Sequence, residues 1–353
     1  MRSLSKLKKY KAALIEVFVE NFPELYIKMK NSEHGIDKFK PSKYHLEGDV
    51  WTHTMMVLGH AQTELGSVAA LLHDIGKPFT RIVKDETRTI FSCHEGFGFF
   101  MLNDILPVFD LSPEEETIIK TVVALHGSFR SGDLNEFIEY TYGLDEDTIT
   151  VLVDLLNSDS NGRINFDSGI WSHDIEDVLY SGYREFFVSH MNDENSRKTK
   201  TVTFLIGLPG SGKSTYLSEN DLGKVLSRDD IIEMHGKGKT YEDKYAFFEK
   251  SRNKQELNVL FDKKVIELYS NKDDVVVDMT NIRESLRNKL LKKFRKRGFK
   301  AKAVVFSTSI NECINRNTQR KGKVIDEYVI KNNASHFKFP LFGKEYFDEI
   351  TVI

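Results

Sequence analysis

The chain has 353 residues, 50 basic and 53 acidic, and 40% of it is hydrophobic. This length favours two domains, and the near balance of charge excludes a wholly basic nucleic-acid binder while leaving local contacts open. Two cysteines cannot form a disulfide framework, and no apolar run approaches the roughly 18 residues that a membrane span needs. We therefore expect a cytoplasmic protein with no membrane contact.

Residues 1–195 are predicted to form an all-α domain. Apolar spacing near 3.6 residues occurs in VWTHTMMVLGHAQTEL, SVAALLHDIG and ETIIKTVVALH. Asp49 is expected to cap the helix that carries His53. Gly76 and Pro78 are expected to end the helix that carries the HD doublet of LLHDIG.

Residues 196–353 are predicted to form an α/β domain. The polar segment MNDENSRKTK, at 191–200, separates them from the first domain. The apolar runs VTFLI, KVL, DVVVDM, KAVVFS and EITVI then alternate with helical stretches. Such alternation is typical of βαβ units and predicts a parallel sheet.

The segment GLPGSGKS fits the P-loop pattern G-x-x-x-x-G-K-[ST] and follows the first predicted strand. A glycine-rich loop turns backbone N–H groups toward phosphate, and the helix that follows adds its positive end. We expect Lys213 to reach the β- and γ-phosphates of ATP or another nucleoside triphosphate, and Ser214 to ligate Mg²⁺. The expected nucleotide-binding residues in this loop are Gly207, Gly210, Ser211, Gly212, Lys213, Ser214 and Thr215.

Acidic residues end the second and third predicted strands. Asp229, in SRDD, can accept the proton of an attacking hydroxyl, although aspartate also favours the start of a helix. Asp278, in DMTN, is expected to hold Mg²⁺ through water or to orient the acceptor beside its phosphate. Asn281 and Glu284 are expected to form a capping box.

Two basic segments allow two interpretations each. In RNTQRKGK, at 316–323, Arg316 and Arg320 are expected to close on the γ-phosphate, and the alternative is a solvated turn. Residues 286–302 contain nine Lys or Arg and no acid, which predicts either a solvated helix or a patch that follows phosphates. In the helical interpretation the inward residues are Leu286, Leu290, Leu291 and Phe294.

GLPGSGKST, SRDD, DMTN and RNTQRKG, in this order and spacing, resemble the 5′-kinase domain of phage polynucleotide kinases over residues 201 to about 330. The resemblance implies that the P-loop binds nucleotide and Mg²⁺, that Asp229 is the general base on a 5′-OH, and that Arg320 clamps the transferring phosphoryl group. Phage members place an arginine three residues after the base. This chain has Ile232 at that position, so other residues must bind the substrate there.

Histidines and aspartates recur through the first domain, most notably in the doublet His73-Asp74. A lone histidine is more often structural than a ligand. Imidazole and carboxylate ligands without thiolates suit Mn²⁺, Fe²⁺, Co²⁺, Ni²⁺ or Zn²⁺. Two such ions bridged by one carboxylate can generate hydroxide at neutral pH and clamp a phosphate.

The motifs YHLEGDVWTHT, LLHDIGKPFTR, CHEGFG, ALHG and NSDSNGR, between residues 41 and 163, resemble the HD superfamily of metal-dependent phosphohydrolases. The sequences of these motifs are especially similar to the HD domain attached to some bacterial tRNA nucleotidyltransferases. The resemblance implies one ion held by His53, His73, Asp74 and Asp159, a second held by Asp74, His94 and His126, and phosphate contacts from Lys77 and His45. Asp154 competes with Asp159, which is preferred because it precedes SNG at a helix end.

An HD domain fused to a polynucleotide-kinase-like P-loop domain resembles a family of bifunctional end-healing enzymes. The resemblance implies that RNA or DNA ends are the substrate: the HD domain removes 3′-terminal, 2′- or 2′,3′-cyclic phosphate, and the P-loop domain phosphorylates 5′-OH ends. A separate ligase is then the expected functional partner. Two alternatives are a small-molecule kinase fused to an HD nucleotidase, and a non-catalytic nucleotide-gated switch.

Overall fold

A computed structural model describes residues 2–37, 39–40, 42, 45–85, 88–129, 131–164, 172–196, 198–271, 273–320, 324–345 and 347–353. The chain divides into two compact units. The first consists of Met1–Val188 and Ala334–Phe339, and the second of Ser189–Asn333 and Pro340–Ile353. The sequence predicted a single boundary at 195/196 and did not predict that Ala334–Phe339 belongs to the first unit.

The first unit is helical. Its helices are α1 (Arg2–Asn21), α2 (Pro23–Lys30), α3 (Val50–His60), α4 (Glu64–Leu72), α5 (Lys77–Thr80), α6 (His94–Ile105), α7 (Pro113–Leu125), α8 (Leu134–Thr141), α9 (Glu146–Asn161), α10 (Ile175–Leu179) and α11 (Gly182–Ser196), the last continuing into the second unit. An antiparallel hairpin of β1 (Arg81–Asp85) and β2 (Arg88–Phe91) lies between α5 and α6, and the apolar pattern did not predict it. Helix α9 packs against α3, α4 and α7, which places its inward face in the core.

Local signals explain where the site-bearing helices begin and end. The predicted cap of α3 is confirmed, because the side chain of Asp49 accepts a hydrogen bond from the backbone N–H of Thr52. Helix α4 ends earlier than predicted, at Leu72, with His73 as its capping residue. Pro78 lies in the first turn of α5, where its missing N–H costs nothing, rather than after a helix.

The second unit contains a five-stranded parallel sheet with the strand order β4-β5-β3-β6-β7. The strands, which coincide with the predicted apolar runs, are β3 (Lys200–Ile206), β4 (Lys224–Ser227), β5 (Val275–Asp278), β6 (Phe299–Val305) and β7 (Glu349–Val352). The helices are α12 (Lys213–Glu219), α13 (Arg228–His235), α14 (Tyr241–Glu249), α15 (Ser251–Ser270), α16 (Glu284–Arg295), α17 (Ile310–Thr318), α18 (Glu327–Ala334) and α19 (Phe342–Glu345). Among the helices that the structure describes, none is long and apolar enough to cross a membrane.

The register of the sheet aligns the carboxyl ends of three strands. Asp278, the last residue of β5, lies opposite Leu205 of β3 and Ser227 of β4. The strands are parallel, so the loops that follow them open at one edge of the sheet. The P-loop and the two acidic motifs are therefore brought to the same edge.

Two sequence predictions near α16 are wrong. Leu286 is 54% exposed rather than inward, although Leu290, Leu291 and Phe294 are buried as predicted. Asn281 does not cap the helix, which begins after Arg283. Its side chain is buried and donates hydrogen bonds to backbone carbonyls of β3 and β5 instead.

Candidate active sites

Asp74 lies at the centre of a buried group of imidazoles in the first unit. Its Oδ2 is 3.1 Å from Nε2 of His73 and 3.7 Å from Nε2 of His53. Its Oδ1 is 3.1 Å from Nε2 of His94 and 3.7 Å from Nε2 of His126. Each carboxylate oxygen therefore faces its own pair of histidines.

Asp159 extends one side of this group, with Oδ1 3.0 Å from Nε2 of His53. Ligand atoms of two sets of residues each lie within 4.8 Å of one another: the first set is His53, His73 and Asp159, and the second is Asp74, His94 and His126. These six residues are called the histidine–aspartate group below. The structure thus brings together all six positions that the HD resemblance implied.

Asp154, the competing candidate, lies elsewhere. Its carboxylate accepts hydrogen bonds from the backbone N–H groups of Gln62 and Thr63, both at 2.9 Å, and from the Thr63 hydroxyl at 2.8 Å. These contacts secure the start of α4. Five residues on an α-helix span about 500°, so Asp154 and Asp159 point in directions about 140° apart.

The second ring nitrogen of each clustered histidine shows which atom is available to an ion. Nδ1 of each ring faces an oxygen: the carbonyl of Ala70 for His73 (2.8 Å), of Phe91 for His94 (3.1 Å) and of Val123 for His126 (2.7 Å), and Oε1 of Glu47 for His53 (2.8 Å). Because a carbonyl can only accept, Nδ1 carries the hydrogen and Nε2 presents a lone pair inward.

Several inward atoms have no hydrogen bond of their own. Within the described residues, Nε2 of His73 and both oxygens of Asp74 are buried and make no contact with hydrogen-bond geometry, although Nζ of Lys77 lies 2.6 Å from Oδ2 of Asp74 as an ion pair. Buried polar groups are seldom left so, and converging imidazole lone pairs on either side of a carboxylate match a pair of divalent ions. The residues therefore fit the metals that the HD resemblance implied.

The electrostatics keep both carboxylates charged. Burial alone would raise the pKa of Asp74, but His73 and Lys77 outweigh it and hold this pKa well below its ordinary value. Burial opposes ionisation of Asp159 too, and there Arg163, with His53, holds the pKa well below the ordinary value. Both groups are anionic at neutral pH, as cation ligands must be.

A cationic and aromatic wall flanks the group. Nζ of Lys77 is 2.6 Å from Oδ2 of Asp74 and 2.9 Å from Nε2 of His34. Beside this lysine the rings of His34 and His45 stack, with centroids 4.1 Å apart and an interplanar angle of 10°. Desolvation lowers the pKa of His45 to about 4, so this ring is neutral at physiological pH.

Sequence reasoning missed three residues of this site: His34, Glu47 and Arg163. Glu47 lies two residues after His45 in the motif HLEGD, and Arg163 ends NSDSNGR, so both were inside recognised motifs. Their partners are close in the chain, since Asp159 lies four positions before Arg163 and His53 six positions after Glu47, but the motifs do not show which side chains are in contact. His34 lies outside every motif.

The P-loop of the second unit has the geometry of a phosphate cradle. Gly210 and Gly212 adopt positive φ of 87° and 96°, and a Cβ at Gly210 would lie 2.6 Å from the carbonyl oxygen of Cys313. Lys213 donates a hydrogen bond to the carbonyl of Gly207 at 2.9 Å. Desolvation lowers the pKa of Lys213 to about 8.

A cavity of about 1020 Å³ opens at this edge of the sheet. Its lining includes residues 210–215, Asp229, Asp278, Arg316 and Arg320, which the sequence predicted to serve one reaction. Residues 321–323 of the predicted basic lid lie outside the described residues.

The predicted base, Asp229, has a partner that the sequence did not predict. The hydroxyl of Tyr241, on α14, donates a hydrogen bond to Oδ1 of Asp229 at 2.8 Å. Ile232, one turn further along α13, is 2% exposed and packs with Phe248 and Leu257 in an apolar cluster. Position 232, where phage polynucleotide kinases have an arginine, is therefore occupied by a buried apolar side chain.

A buried ion pair supports the loop after β5. The guanidinium of Arg287 is fully buried and donates to both oxygens of Glu345, at 2.8 and 2.7 Å. It also donates to the backbone carbonyl of Asn281 at 2.8 Å, and Asn281 has a positive φ of 48°. Arg287, which the sequence placed in the basic surface segment, thus holds the loop that follows Asp278.

Comparison with known families gives one match in each half of the chain. Residues 50–159 match the family model of the HD domain, and residues 202–340 match that of an AAA domain. Among curated proteins no match was found. The chain thus contains an N-terminal helical HD domain and a C-terminal P-loop kinase-like domain with a parallel sheet, a combination that fits a bifunctional enzyme of phosphoryl chemistry.

Proposed function

We propose that the protein heals nucleic-acid ends. In this proposal the P-loop unit transfers the γ-phosphoryl group of ATP, or of another nucleoside triphosphate, to a 5′-OH end. The HD unit removes a 3′-terminal, 2′- or 2′,3′-cyclic phosphate. The products are the 5′-phosphate and 3′-OH that a separate ligase joins, and the motif resemblance supports RNA or DNA as the substrate.

One observation carries the kinase proposal: the carboxylate of Asp229 lines the same cavity as Lys213, Arg316 and Arg320. A carboxylate outside the P-loop but in the same cavity can take the proton of an acceptor hydroxyl. This arrangement suits transfer of the γ-phosphoryl group to that hydroxyl. Lys213 orients the phosphates, and the two arginines offset the charge that spreads in the transition state. Oxygens of Ser214, with Asp278 through water, suit Mg²⁺.

In the HD unit, the histidine–aspartate group would hold two divalent metal ions of the series Mn²⁺, Fe²⁺, Co²⁺, Ni²⁺ and Zn²⁺. Bound there, such ions supply a nucleophilic hydroxide at neutral pH. Nζ of Lys77 contacts Oδ2 of Asp74 at 2.6 Å and Nε2 of His34 at 2.9 Å, so its third N–H would be available to a substrate phosphate. His45 lies in the flanking wall, and its Nδ1–H already donates to Oε1 of Glu47 at 2.8 Å. The neutral ring therefore has no second hydrogen, and the phosphate contact that the resemblance implies for His45 would need the ring to be protonated on Nε2 as well.

The proposal assigns these reactions to the cytoplasm. Cys93 and Cys313 are both free thiols, which suits a reducing compartment. The two reactions produce ends that match each other, so a single RNA molecule can report on both.

The decisive assay uses a short RNA that bears a 5′-OH and a 2′,3′-cyclic phosphate. We expect γ-labelled ATP to label its 5′ end, and the 3′ end to become a free hydroxyl, with Mg²⁺, Mn²⁺, Co²⁺ and Ni²⁺ compared in parallel. A DNA of the same sequence and a free nucleoside serve as competing acceptors. Label found in the nucleoside alone would instead identify a small-molecule kinase, and ATP hydrolysis without any transfer would favour a switch.

Matched variants test whether the two activities are separate. His73→Ala combined with Asp74→Ala should abolish release of the 3′ phosphate and spare 5′ phosphorylation. Lys213→Ala or Asp229→Ala should have the reverse effect. If either set removes both activities, the assignment of one reaction to each unit is wrong.

A further inference from the structure

The cavity beside Asp229 extends beyond the P-loop. At about 1020 Å³ it lies slightly above the range, roughly 300–1,000 Å³, that small-molecule sites usually occupy. The part of its lining that comes from α13, α15 and α16, called the far side below, includes Arg228, Phe261, Asp262, Leu286, Lys289 and Lys293. A nucleotide on the P-loop leaves this side open to a second ligand.

Cations line both sides of the cavity. Lys213, Arg316 and Arg320 serve the donor phosphates, and the other lining cations are Arg228, Lys289 and Lys293. Arg228, Lys289 and Lys293 outnumber Asp229 and Asp262, the two acids that line the cavity from the same helices, so the far side suits an anionic ligand. Asp229 is the next residue after Arg228, and the acceptor hydroxyl must approach this carboxylate.

Arg228 is held in place rather than free to swing. Its Nη2 donates to Oδ1 of Asn258 at 3.1 Å, and its guanidinium lies 5.9 Å from the ring centroid of Phe261. A guanidinium has five N–H donors, so this anchoring leaves donors for a phosphate oxygen. A guanidinium held in one position beside Asp229 suits recognition of one particular phosphate group.

Two lysines of α16 complete the surface, one helical turn apart. Nζ of Lys293 is 2.7 Å from Oδ1 of Asp262, so part of its charge is already compensated. Across the described ranges of the chain, Lys289 has neither an ion pair nor a hydrogen bond, and it is exposed. Lys289 can therefore bind an anion without breaking an existing contact.

We propose that Arg228 and Lys289 bind the first internucleotide phosphate of a nucleic-acid acceptor. This inference rests on the proposed kinase function and specifies its acceptor as a chain with a phosphate next to the terminal nucleoside. The terminal 5′-OH then meets Asp229, while the rest of the chain leads away from the P-loop past α16. The two side chains replace a cation after the base, where this protein has the buried Ile232.

The test compares acceptors that differ only in that phosphate: a 5′-OH nucleoside, the same nucleoside with a 3′-phosphate, and a 5′-OH oligonucleotide. Because the HD unit can remove the 3′-phosphate, the assays use the His73→Ala, Asp74→Ala background throughout. In this background Lys289→Ala should raise the KM of both phosphate-bearing acceptors about tenfold, the loss of one charge-assisted contact. The KM values of the nucleoside and of ATP should stay unchanged.

Lys292→Ala is the matched control, because Lys292 is an exposed lysine of the same helix that does not line the cavity. Arg228→Gln should act in the same direction as Lys289→Ala. An equal rise in KM for the nucleoside, a rise in the KM of ATP, or an equal effect of Lys292→Ala would each overturn the inference.

The two proposals fail in different ways. If the unsubstituted kinase site phosphorylates oligonucleotides and Lys289→Ala leaves their KM unchanged, the phosphate subsite alone is wrong. If that site phosphorylates only the nucleoside, the proposed function is wrong and the subsite with it.

Discussion

Oε1 of Glu47 lies 2.8 Å from Nδ1 of His53, and both side chains are fully buried. The carboxylate therefore orients the ring so that Nε2 faces Asp159 and Asp74. Outer contacts of this kind commonly govern how well a histidine holds a metal.

Glu47→Ala should lower the affinity of the metal-depleted protein for Mn²⁺ about 10- to 100-fold, because His53 loses its orienting acceptor. Calorimetric titration measures this change. Glu47→Gln keeps an acceptor oxygen and should have a smaller effect, and kinase activity should be unaffected in both. Unchanged Mn²⁺ affinity in Glu47→Ala would show that the contact does not position a ligand.

Asp154 and Asp159 should respond differently to the same substitution. Asp159→Asn should weaken Mn²⁺ binding, because it removes the charge of a group member. Asp154→Asn should leave that affinity intact but lower the free energy of unfolding by about 2 kcal/mol, since an amide N–H₂ would face the N–H groups of Gln62 and Thr63. Metal titration and chemical denaturation of both variants test the pair. The opposite pattern would restore Asp154 as the ligand.

Tyr241→Phe should slow phosphoryl transfer to a saturating oligonucleotide acceptor by up to about tenfold, because Asp229 loses the hydrogen bond that orients its carboxylate. Steady-state kinetics measures this rate. The KM of ATP should not change, since Tyr241 does not line the cavity. Tyr245→Phe is the control, because the Tyr245 ring stacks with Tyr241 at 6.1 Å. Equal losses in both variants would show that the hydrogen bond from Tyr241 to Asp229 is not the specific cause of the loss.

ATP binding should weaken as the pH rises from about 7 to 9. Desolvation lowers the pKa of Lys213 to about 8, so the ammonium that the phosphates require is lost above that pH. Bound phosphate favours the charged form, so binding at high pH should take up a proton. Calorimetry in buffers of different ionisation enthalpy measures that uptake. A Lys213→Ala protein should show none, and equal ATP affinity of the unsubstituted protein at both pH values would contradict the prediction.

Glu345→Gln should lower the free energy of unfolding of the second unit by about 3–5 kcal/mol, because it leaves the buried guanidinium of Arg287 without its counter-charge. Glu349→Gln is the matched control. Its partner is Lys302 at 2.6 Å on the surface, and the loss should stay below about 1 kcal/mol. Chemical denaturation measures the free energy of unfolding of both variants. Similar losses would show that the buried pair of Glu345 and Arg287 contributes no more than the surface pair.

Features built from neighbouring residues were readable in the sequence. The P-loop is one such feature, because its glycines, Lys213 and Ser214 form one continuous turn and helix start. The alternation of apolar runs and helices likewise predicted the five strands, since each strand needs only its own residues to be recognised. The cap at Asp49 is equally local.

Only the tertiary structure decided the contacts between distant segments. Helical periodicity allowed Leu286 to face inward and Arg287 outward, yet Leu286 is 54% exposed and Arg287 is buried against Glu345, 58 positions later. The pairing of Glu47 with His53 spans only six positions, yet it depends on the conformation of the segment before α3, which helical periodicity does not describe. Spacing along a chain determines the direction of a side chain on its own element, whereas its partner depends on how the elements pack.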